Sequence, residues 1–597
     1  MRTLLGMILA CASLLVPTSA SAGLRIIPEP QHLQWNTGPG FEVSARTRIV
    51  VNANPDAGDL FIAGQLRRKI WDTTGRLVPI LKSRAGAPTG NVIAIGDPAR
   101  NKVLAAILKS WPDAAGKAAR SEGYVLGVRG STIVVRGFDQ RGTFYGCQTL
   151  IQIFEYCGRK RINSLFCYDY PDMPWRGTMV RIRQGLDVEL TKELVSEVMA
   201  RYKLNTIELH MSYGVLWPSH PELHLRSTGH SGKPTKFGDI KSVADCAKRH
   251  FMQVIPSGVS WTHSWEWQTA DGLNRDILED TDSTGSSQNL CWRNPKARKL
   301  VRDLMNDQIR IFKPKYLHIG WDEVGTVGVC PLCRGTDPAK LFSEALWSDR
   351  NYLTARGITP IMWADMLRRD QNGGGGWKLY RTVSTMPKDI IVQDWFYTGH
   401  HTDFPSLKTW NNNGLKSLGT PYGVYKPGME NIFSWAEAAK RHKILGIVAF
   451  NKYRCGDERA AEATEIGCFP FIAEWSWSVG RPPFAPQPYD GWEMAIRELS
   501  PRKPAGFVVS AGGGRPALRW TNPPDSEFAG TWVCSRTDRF PTDPLDGTFV
   551  CDKSGLARQA ERCVDAKAPK AAVVYYSAFS HDAVRHFSAP ARTALRR

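Results

Sequence analysis

The stretch Lys315-Tyr316-Leu317-His318-Ile319-Gly320-Trp321-Asp322-Glu323-Val324-Gly325 is a β-prone apolar run that stops abruptly at two adjacent carboxylates and a glycine. Inside a strand, neighbouring side chains point to opposite faces. Where strand gives way to loop the backbone turns, and both acids can face one cleft. The plainer reading is an Asp-Glu pair that caps the next helix. What surrounds the pair decides between the two.

Runs of the same kind recur on both sides, at 178–182, 205–210, 253–256, 359–363, 390–395, 417–422 and 446–450, with 316–320 as the fourth of eight. Between them lie amphipathic helical stretches; Leu190, Leu194, Val198 and Tyr202 mark the apolar face of one. Strands alternating with helices across residues 169–497 predict a (β/α)8 TIM barrel, whose chemistry gathers at the C-terminal ends of its strands. His210, His263, Asp322, Glu323, Trp363, Trp395 and Tyr422 all fall at or just after such ends, and Arg176 lies just before the first strand. A smaller α/β unit, residues 23–168, precedes the barrel. It includes a hairpin signal, Arg129-Gly130-Ser131 between two β-prone runs, and a helix opened by Arg141-Gly142. After Pro501-Arg502-Lys503-Pro504 the period changes to two, which predicts a β-sandwich over 504–590. Its Trp520 and Tyr575-Tyr576 resemble those of fibronectin type III modules.

At 597 residues the chain is too long for a single core. It begins Met1-Arg2, continues through an apolar stretch at 4–16 and reaches Ala20-Ser21-Ala22 before Gly23. This predicts a signal peptide over 1–22 and a secreted or periplasmic, soluble product. No later run approaches the ~20 apolar residues of a membrane span. The net charge of +20 is spread along the chain without a basic block, which argues against a nucleic-acid partner. It suits a general attraction to acidic polymers or cell envelope, or carries no partner meaning at all. Thirteen cysteines less Cys11 of the leader leave twelve, an even number that permits disulfides. Of Cys534, Cys551 and Cys563, at most two can pair locally. Gly373 to Gly376 lacks the Gly-Lys-Ser/Thr ending of a phosphate-binding loop.

A proton-donating acid beside an anion that steadies positive charge suits cleavage of a glycosidic bond. Residues 23 to about 497 resemble the family 20 glycoside hydrolases, the β-N-acetylhexosaminidases. The resemblance rests on Ile27-Pro28-Glu29-Pro30-Gln31, on Arg141-Gly142-Thr143-Phe144-Tyr145-Gly146, on Tyr170-Pro171-Asp172 through Arg176-Gly177, and on His318-Ile319-Gly320-Trp321-Asp322-Glu323. It implies removal of terminal N-acetylhexosamine from glycans with retained configuration, with no cofactor or metal. The substrate's own acetamido oxygen would be the nucleophile, Glu323 the acid and base, and Asp322 the partner of the acetamido N–H. Arg176 would clamp sugar hydroxyls or, alternatively, close the barrel bottom by a salt bridge. His263 would belong to the pocket, Trp363 and Trp395 would wall the acetamido group, Tyr422 would bond its carbonyl, and His210 and His318 would orient the acids. For each aromatic a plain core role is the alternative.

The chain departs from the family pattern at Met211-Ser212-Tyr213-Gly214, at Pro256-Ser257, at Trp321, which replaces a glycine, and at Phe450-Asn451-Lys452, which replaces a Trp-x-Glu. Three rival readings follow: a non-catalytic glycan-binding protein on the same barrel, a glycosidase of altered sugar specificity, and a conventional retaining glycosidase using a distant carboxylate such as Asp365 as nucleophile. Trp261, Trp265 and Trp267 either extend a sugar platform or pack a loop. Cys330-Pro331-Leu332-Cys333 would need two further ligands to hold zinc, and no second Cys-x-x-Cys exists. A disulfide or paired thiols is the expectation there.

Overall fold

The computed structural model describes residues 26–596, except 85–89, 157–160, 213, 227–233, 264–274, 283–288, 425–427, 452–465, 481–500, 513–514, 526–527 and 583–586. The leader at 1–22, together with Trp265, Trp267 and Lys452, lies outside the described residues.

The N-terminal unit is a seven-stranded mixed sheet in which Tyr124–Arg129 and Thr132–Gly137 form the anticipated hairpin at its centre. Helices Ala57–Thr74 and Gln140–Tyr156 pack together on one face, and Lys102–Lys109 belongs to a separate small core on the other. Gln140–Tyr156 also faces the barrel. Gln152 exchanges bonds with the Ile27 backbone and reaches the Arg201 carbonyl, and Tyr145 meets Trp477 edge-on at 5.4 Å. One continuous apolar core therefore spans the first unit and the barrel.

Eight parallel strands build the barrel: β1 (Trp175–Ile182), β2 (Thr206–Met211), β3 (Gln253–Ser257), β4 (Tyr316–His318), β5 (Thr359–Trp363), β6 (Ile391–Trp395), β7 (Ser417–Thr420) and β8 (Gly446–Ala449). The order β3-β2-β1-β8-β7-β6-β5-β4 closes first strand onto last, while β3 and β4 lie side by side without a ladder. Trp175, Ile255, Ile361, Ile391, Leu418 and Val448 fill the lower interior as one apolar layer. Strand alternation then dictates which side chains point inward higher up. From Trp175 the parity leads to Met179 and Arg181, from Ile255 to Ser257, from Ile361 to Trp363, from Ile391 to Gln393 and Trp395, and from Val448 to Phe450. Gly177 sits where β1 and β2 pair closely; a Cβ there would meet the Thr206 carbonyl at 2.2 Å.

The C-terminal region is a two-sheet sandwich. Its strands are β9 (Ala505–Gly512), β10 (Arg515–Thr521), β11 (Phe528–Arg536), β12 (Thr548–Ser554), β13 (Ala560–Val564), β14 (Val573–Asp582) and β15 (Ala591–Arg596). The orders are β9-β10-β13 and β12-β11-β14-β15. Leu518, Trp520, Val533, Val574 and Tyr576 form the core between the sheets. A Cys551–Cys563 disulfide joins β12 to β13, and Cys534 stays a free thiol. The sandwich rests on helix Ala57–Thr74: Trp71 stacks on Phe587 at 5.6 Å and meets Trp532 edge-on at 5.2 Å.

Candidate active site

β4 ends at His318, and the next five residues turn sharply. Gly320, Trp321 and Glu323 adopt positive φ values of 71°, 70° and 46°. At Gly320 only a glycine fits, because a Cβ would stand 2.2 Å from Ser260 Oγ. A left-handed tryptophan and glutamate cost about 1 kcal/mol or more each and persist only where neighbours over-determine them. Those neighbours are present. The Trp321 amide donates to Ser260 Oγ (3.1 Å), its indole Nε1 to Asp349 Oδ2 (3.0 Å), and its ring stacks on Trp261 at 5.7 Å. The Glu323 amide donates to Asp365 Oδ2 (2.9 Å). The Trp321 indole is thus buried behind the acids, and both carboxylates face a cavity of about 380 Å³ at the C-terminal mouth of the barrel. Trp261 has the same backing role, its Nε1 also on Asp349 (2.9 Å).

His263 bridges the pair. Its Nε2 lies 3.3 Å from Asp322 Oδ2 and 3.4 Å from Glu323 Oε2, and Thr262 Oγ1 donates to Asp322 Oδ1 (3.3 Å). Burial pushes the Asp322 carboxyl up, but the His263 hydrogen bond and charge outweigh it and hold the group below its ordinary value. Asp322 is therefore an anion across the neutral range. Burial, reinforced for His210 by the Arg181 charge, lowers His210 and His318 to about 3, so both are neutral imidazoles. His210 Nδ1 lies 3.2 Å from Ser257 Oγ. His318 Nδ1 accepts the Gly320 amide (3.1 Å), which leaves its proton on Nε2, a buried atom with no hydrogen-bond partner among the described residues.

Trp363, Trp395, His210, His318 and His263 all line the cavity with the two acids. Two other sequence candidates do not. Arg176 lies at the opposite, N-terminal end of β1 and has outward parity. It is fully buried, with Nη2 on Glu122 Oε2 (2.7 Å), Nη1 on the Met173 carbonyl (2.7 Å), and its guanidinium 4.9 Å from the Trp477 ring. It ties the barrel bottom to the first unit, the alternative role its sequence position allowed. The arginine that lines the cavity is Arg181, five residues and about 17 Å further along the strand. Tyr422 stands 5.6 Å from Tyr397 without lining the cavity. Tyr397 takes that place, stacked between Trp395 (4.9 Å) and Phe450 (5.2 Å). Strand parity was the available signal for Arg181 and Phe450. Tyr397, two residues past the end of β6, continues the same inward series after Ile391, Gln393 and Trp395.

Asp365 is fully buried and outside the cavity lining; its Oδ2 accepts the Glu323 amide and Asn372 Nδ2 (2.9 Å each). Burial and the Asp322 charge raise it to about 7. A carboxyl spent on positioning the Glu323 backbone cannot reach a sugar carbon, so the reading of Asp365 as nucleophile fails. Cys330 and Cys333 are free thiols rather than a disulfide, the second of the two arrangements expected for the pair. A larger cavity, about 670 Å³ between the sandwich and the first unit, contains neither Asp322 nor Glu323.

Comparison with known proteins agrees with this geometry. Residues 23–170 match the model for glycosyl hydrolase family 20, domain 2, and residues 173–433 match the family 20 catalytic domain. A β-hexosaminidase of Emericella nidulans is 23% identical over 463 residues, covering 68% of this chain and 70% of that protein. A β-N-acetylhexosaminidase of Cellulomonas fimi is 27% identical over 321 residues, 51% of this chain and 60% of the relative. Among solved structures, a Flavobacterium johnsoniae chitobiase superposes with a TM-score of 0.62 at 18% identity, covering 80% of this chain and 73% of that one. Streptomyces plicatus N-acetyl-β-hexosaminidase with bound Thio-NAglucal gives 0.58 at 17%, covering 80% and 96%. With both of its family domains matched and its acids at the mouth of the barrel, this chain belongs to glycoside hydrolase family 20.

Proposed function

We propose that the protein hydrolyses terminal β-linked N-acetylhexosamine from glycans by substrate-assisted, retaining catalysis. The observation that carries this is the placement of Asp322 and Glu323 on one aromatic-walled cavity, joined through a single imidazole. Its volume of about 380 Å³ suits one sugar residue rather than a chain. In the first step the substrate's acetamido oxygen attacks the anomeric carbon while Glu323 passes its proton to the departing glycosidic oxygen. Anionic Asp322 accepts the acetamido N–H and steadies the oxazolinium ion that forms. In the second step Glu323 takes a proton from water, which attacks the same carbon and reopens the ring with configuration retained. Trp363 and Trp395 supply the apolar wall a methyl group needs, and Tyr397 offers a hydroxyl beside them. Arg181 would meet the sugar hydroxyls with its planar fork of donors.

Hydrolysis of aryl β-N-acetylglucosaminide and galactosaminide by wild type but not by Glu323→Gln is the test. Binding of N-acetylhexosamine without release of either aglycone would instead establish a glycan-binding barrel. The presence of Phe450 in the cavity, where the family pattern has Trp-x-Glu, bears on which sugar is preferred. The sandwich strand order supports a fibronectin type III-like module. The basic and apolar leader supports export with cleavage before Gly23, checked by the N-terminal mass of protein recovered outside the cytoplasm.

A further inference from the structure

Seven residues beyond Glu323 the chain enters the turn Cys330-Pro331-Leu332-Cys333. Its hydrogen bonds, Cys333 and Arg334 amides onto the Cys330 carbonyl (3.0 and 2.9 Å), aim both thiols to one side. The opposing side is a pair of bridged segments. The Glu279 amide bonds the Asn289 carbonyl and the Cys291 amide the Ile277 carbonyl (2.8 Å each), which brings Glu279 and Cys291 together. Cys291 Sγ then lies 3.3 Å from Cys330 Sγ and 3.6 Å from Cys333 Sγ, and one atom each of Glu279, Cys291, Cys330 and Cys333 lies within 4.8 Å of the others. Cys291, Cys333 and Glu279 are buried, and Cys330 is partly so.

From this geometry we propose that Glu279, Cys291, Cys330 and Cys333 form a structural zinc site. A tetrahedral zinc with ~2.3 Å bonds to sulfur needs its thiolates ~3.8 Å apart, whereas a disulfide would bring two sulfurs to ~2.05 Å and leave the third outside. Three sulfurs in mutual proximity at 3.3 and 3.6 Å match one face of that tetrahedron. The fourth corner is also prepared. Glu279 Oε1 accepts the amides of Gly328 (2.6 Å) and Val329 (2.9 Å), which orients the carboxylate and leaves its second oxygen for the ion. Three thiolates and a carboxylate give a divalent ion two net negative charges, and Arg293 stands over this loop, donating to the Leu332 carbonyl (3.2 Å). Four protein ligands fill the coordination shell, so the site is closed and structural rather than catalytic. Loading it releases three thiol protons to solvent. From its place in the fold the ion would clamp the loop leaving Glu323 onto the segment whose Asn289 bonds Gly325 and Thr326 (3.3 and 2.6 Å).

The test is metal analysis of the purified full-length chain. About one zinc per chain is the expected content. Cys291→Ser and the double replacement of Cys330 and Cys333 by Ser should abolish it, while Cys246→Ser, on a helix elsewhere, should retain it. Wild type supplies an independent readout if those variants fold poorly. Zinc removed under reducing conditions and replaced by Co²⁺ should produce thiolate-to-cobalt charge transfer and tetrahedral d–d bands. Protein that neither carries zinc nor develops those bands, or a peptide map joining Cys291 to Cys330 or Cys333, would overturn the proposal.

Discussion

The two ends of β1 carry an arginine each, and the contrast between them shows how the barrel divides stability from function. At the N-terminal end Arg176 is saturated: Nε, Nη1 and Nη2 each donate to protein, and Glu122 answers its charge. Lys203 beside it bonds Tyr124 and Asp169 (2.9 Å each). At the C-terminal end the cavity-lining Arg181 Nε and His318 Nε2 are buried without hydrogen-bond partners among the described residues. Polar atoms left open on the wall of a cavity are ones a ligand can satisfy, and Arg181 and His318 both line the cavity that holds Asp322 and Glu323.

The largest effect that can break this contrast is on turnover. Glu323→Gln should lower kcat/KM about 10³-fold or more with little change in melting temperature, since its side chain is half exposed. A wild-type rate in that variant would remove the acid from the mechanism. Next come the arginines as a pair. Arg176→Met leaves the buried Glu122 carboxylate with the half-exposed Arg141 and the Asn205 amide and should cost about 3–5 kcal/mol in a denaturant titration. Arg181→Met should raise KM about 10-fold or more while stability holds or improves. Equal destabilisation by both would erase the difference between the two ends.

A smaller effect concerns pH. Asp365 is raised to about 7, above its unfolded value near 3.8, so the folded state binds more protons than the unfolded state between those limits. Its contribution is a penalty, absent below about pH 4 and fully present above about pH 7. Asp365→Asn keeps an acceptor for the Glu323 amide and removes the buried charge. It should therefore be more stable than wild type at pH 8, by on the order of a few kcal/mol, and nearly equal to it at pH 4. The smallest expected effect separates the two tyrosines: Tyr422→Phe should leave KM within about twofold, and Tyr397→Phe should raise it several-fold.

Much of this arrangement was legible in the residues because barrel strands buried on both faces read as continuous apolar runs. Each of the eight appears within a few positions of its expected place, and the Asp322-Glu323 junction was recognisable from one local segment. What local reading lacked was direction. Arg176 and Arg181 sit five residues apart on one strand, and only parity together with the chemistry-bearing end distinguishes them. Tyr397 and Tyr422 follow neighbouring strands, and which ring reaches the cavity depends on stacking against Trp395 and Phe450. Glu279 and Cys291 lie 51 and 39 residues before Cys330, so no spacing rule joins them to Cys-x-x-Cys. Trp321 could have blocked the site by its size; a positive φ and the buried Asp349 send its indole backwards instead.

The central claim is that Asp322 and Glu323 serve an amide that performs its own attack. A thiazoline mimic of the cyclic intermediate, titrated against wild type and Asp322→Asn, tests it most directly. The account predicts binding to wild type at least ~100-fold tighter than N-acetylglucosamine, with most of that advantage lost in the variant. Equal affinity for mimic and sugar, or an advantage that survives loss of the Asp322 charge, would contradict it.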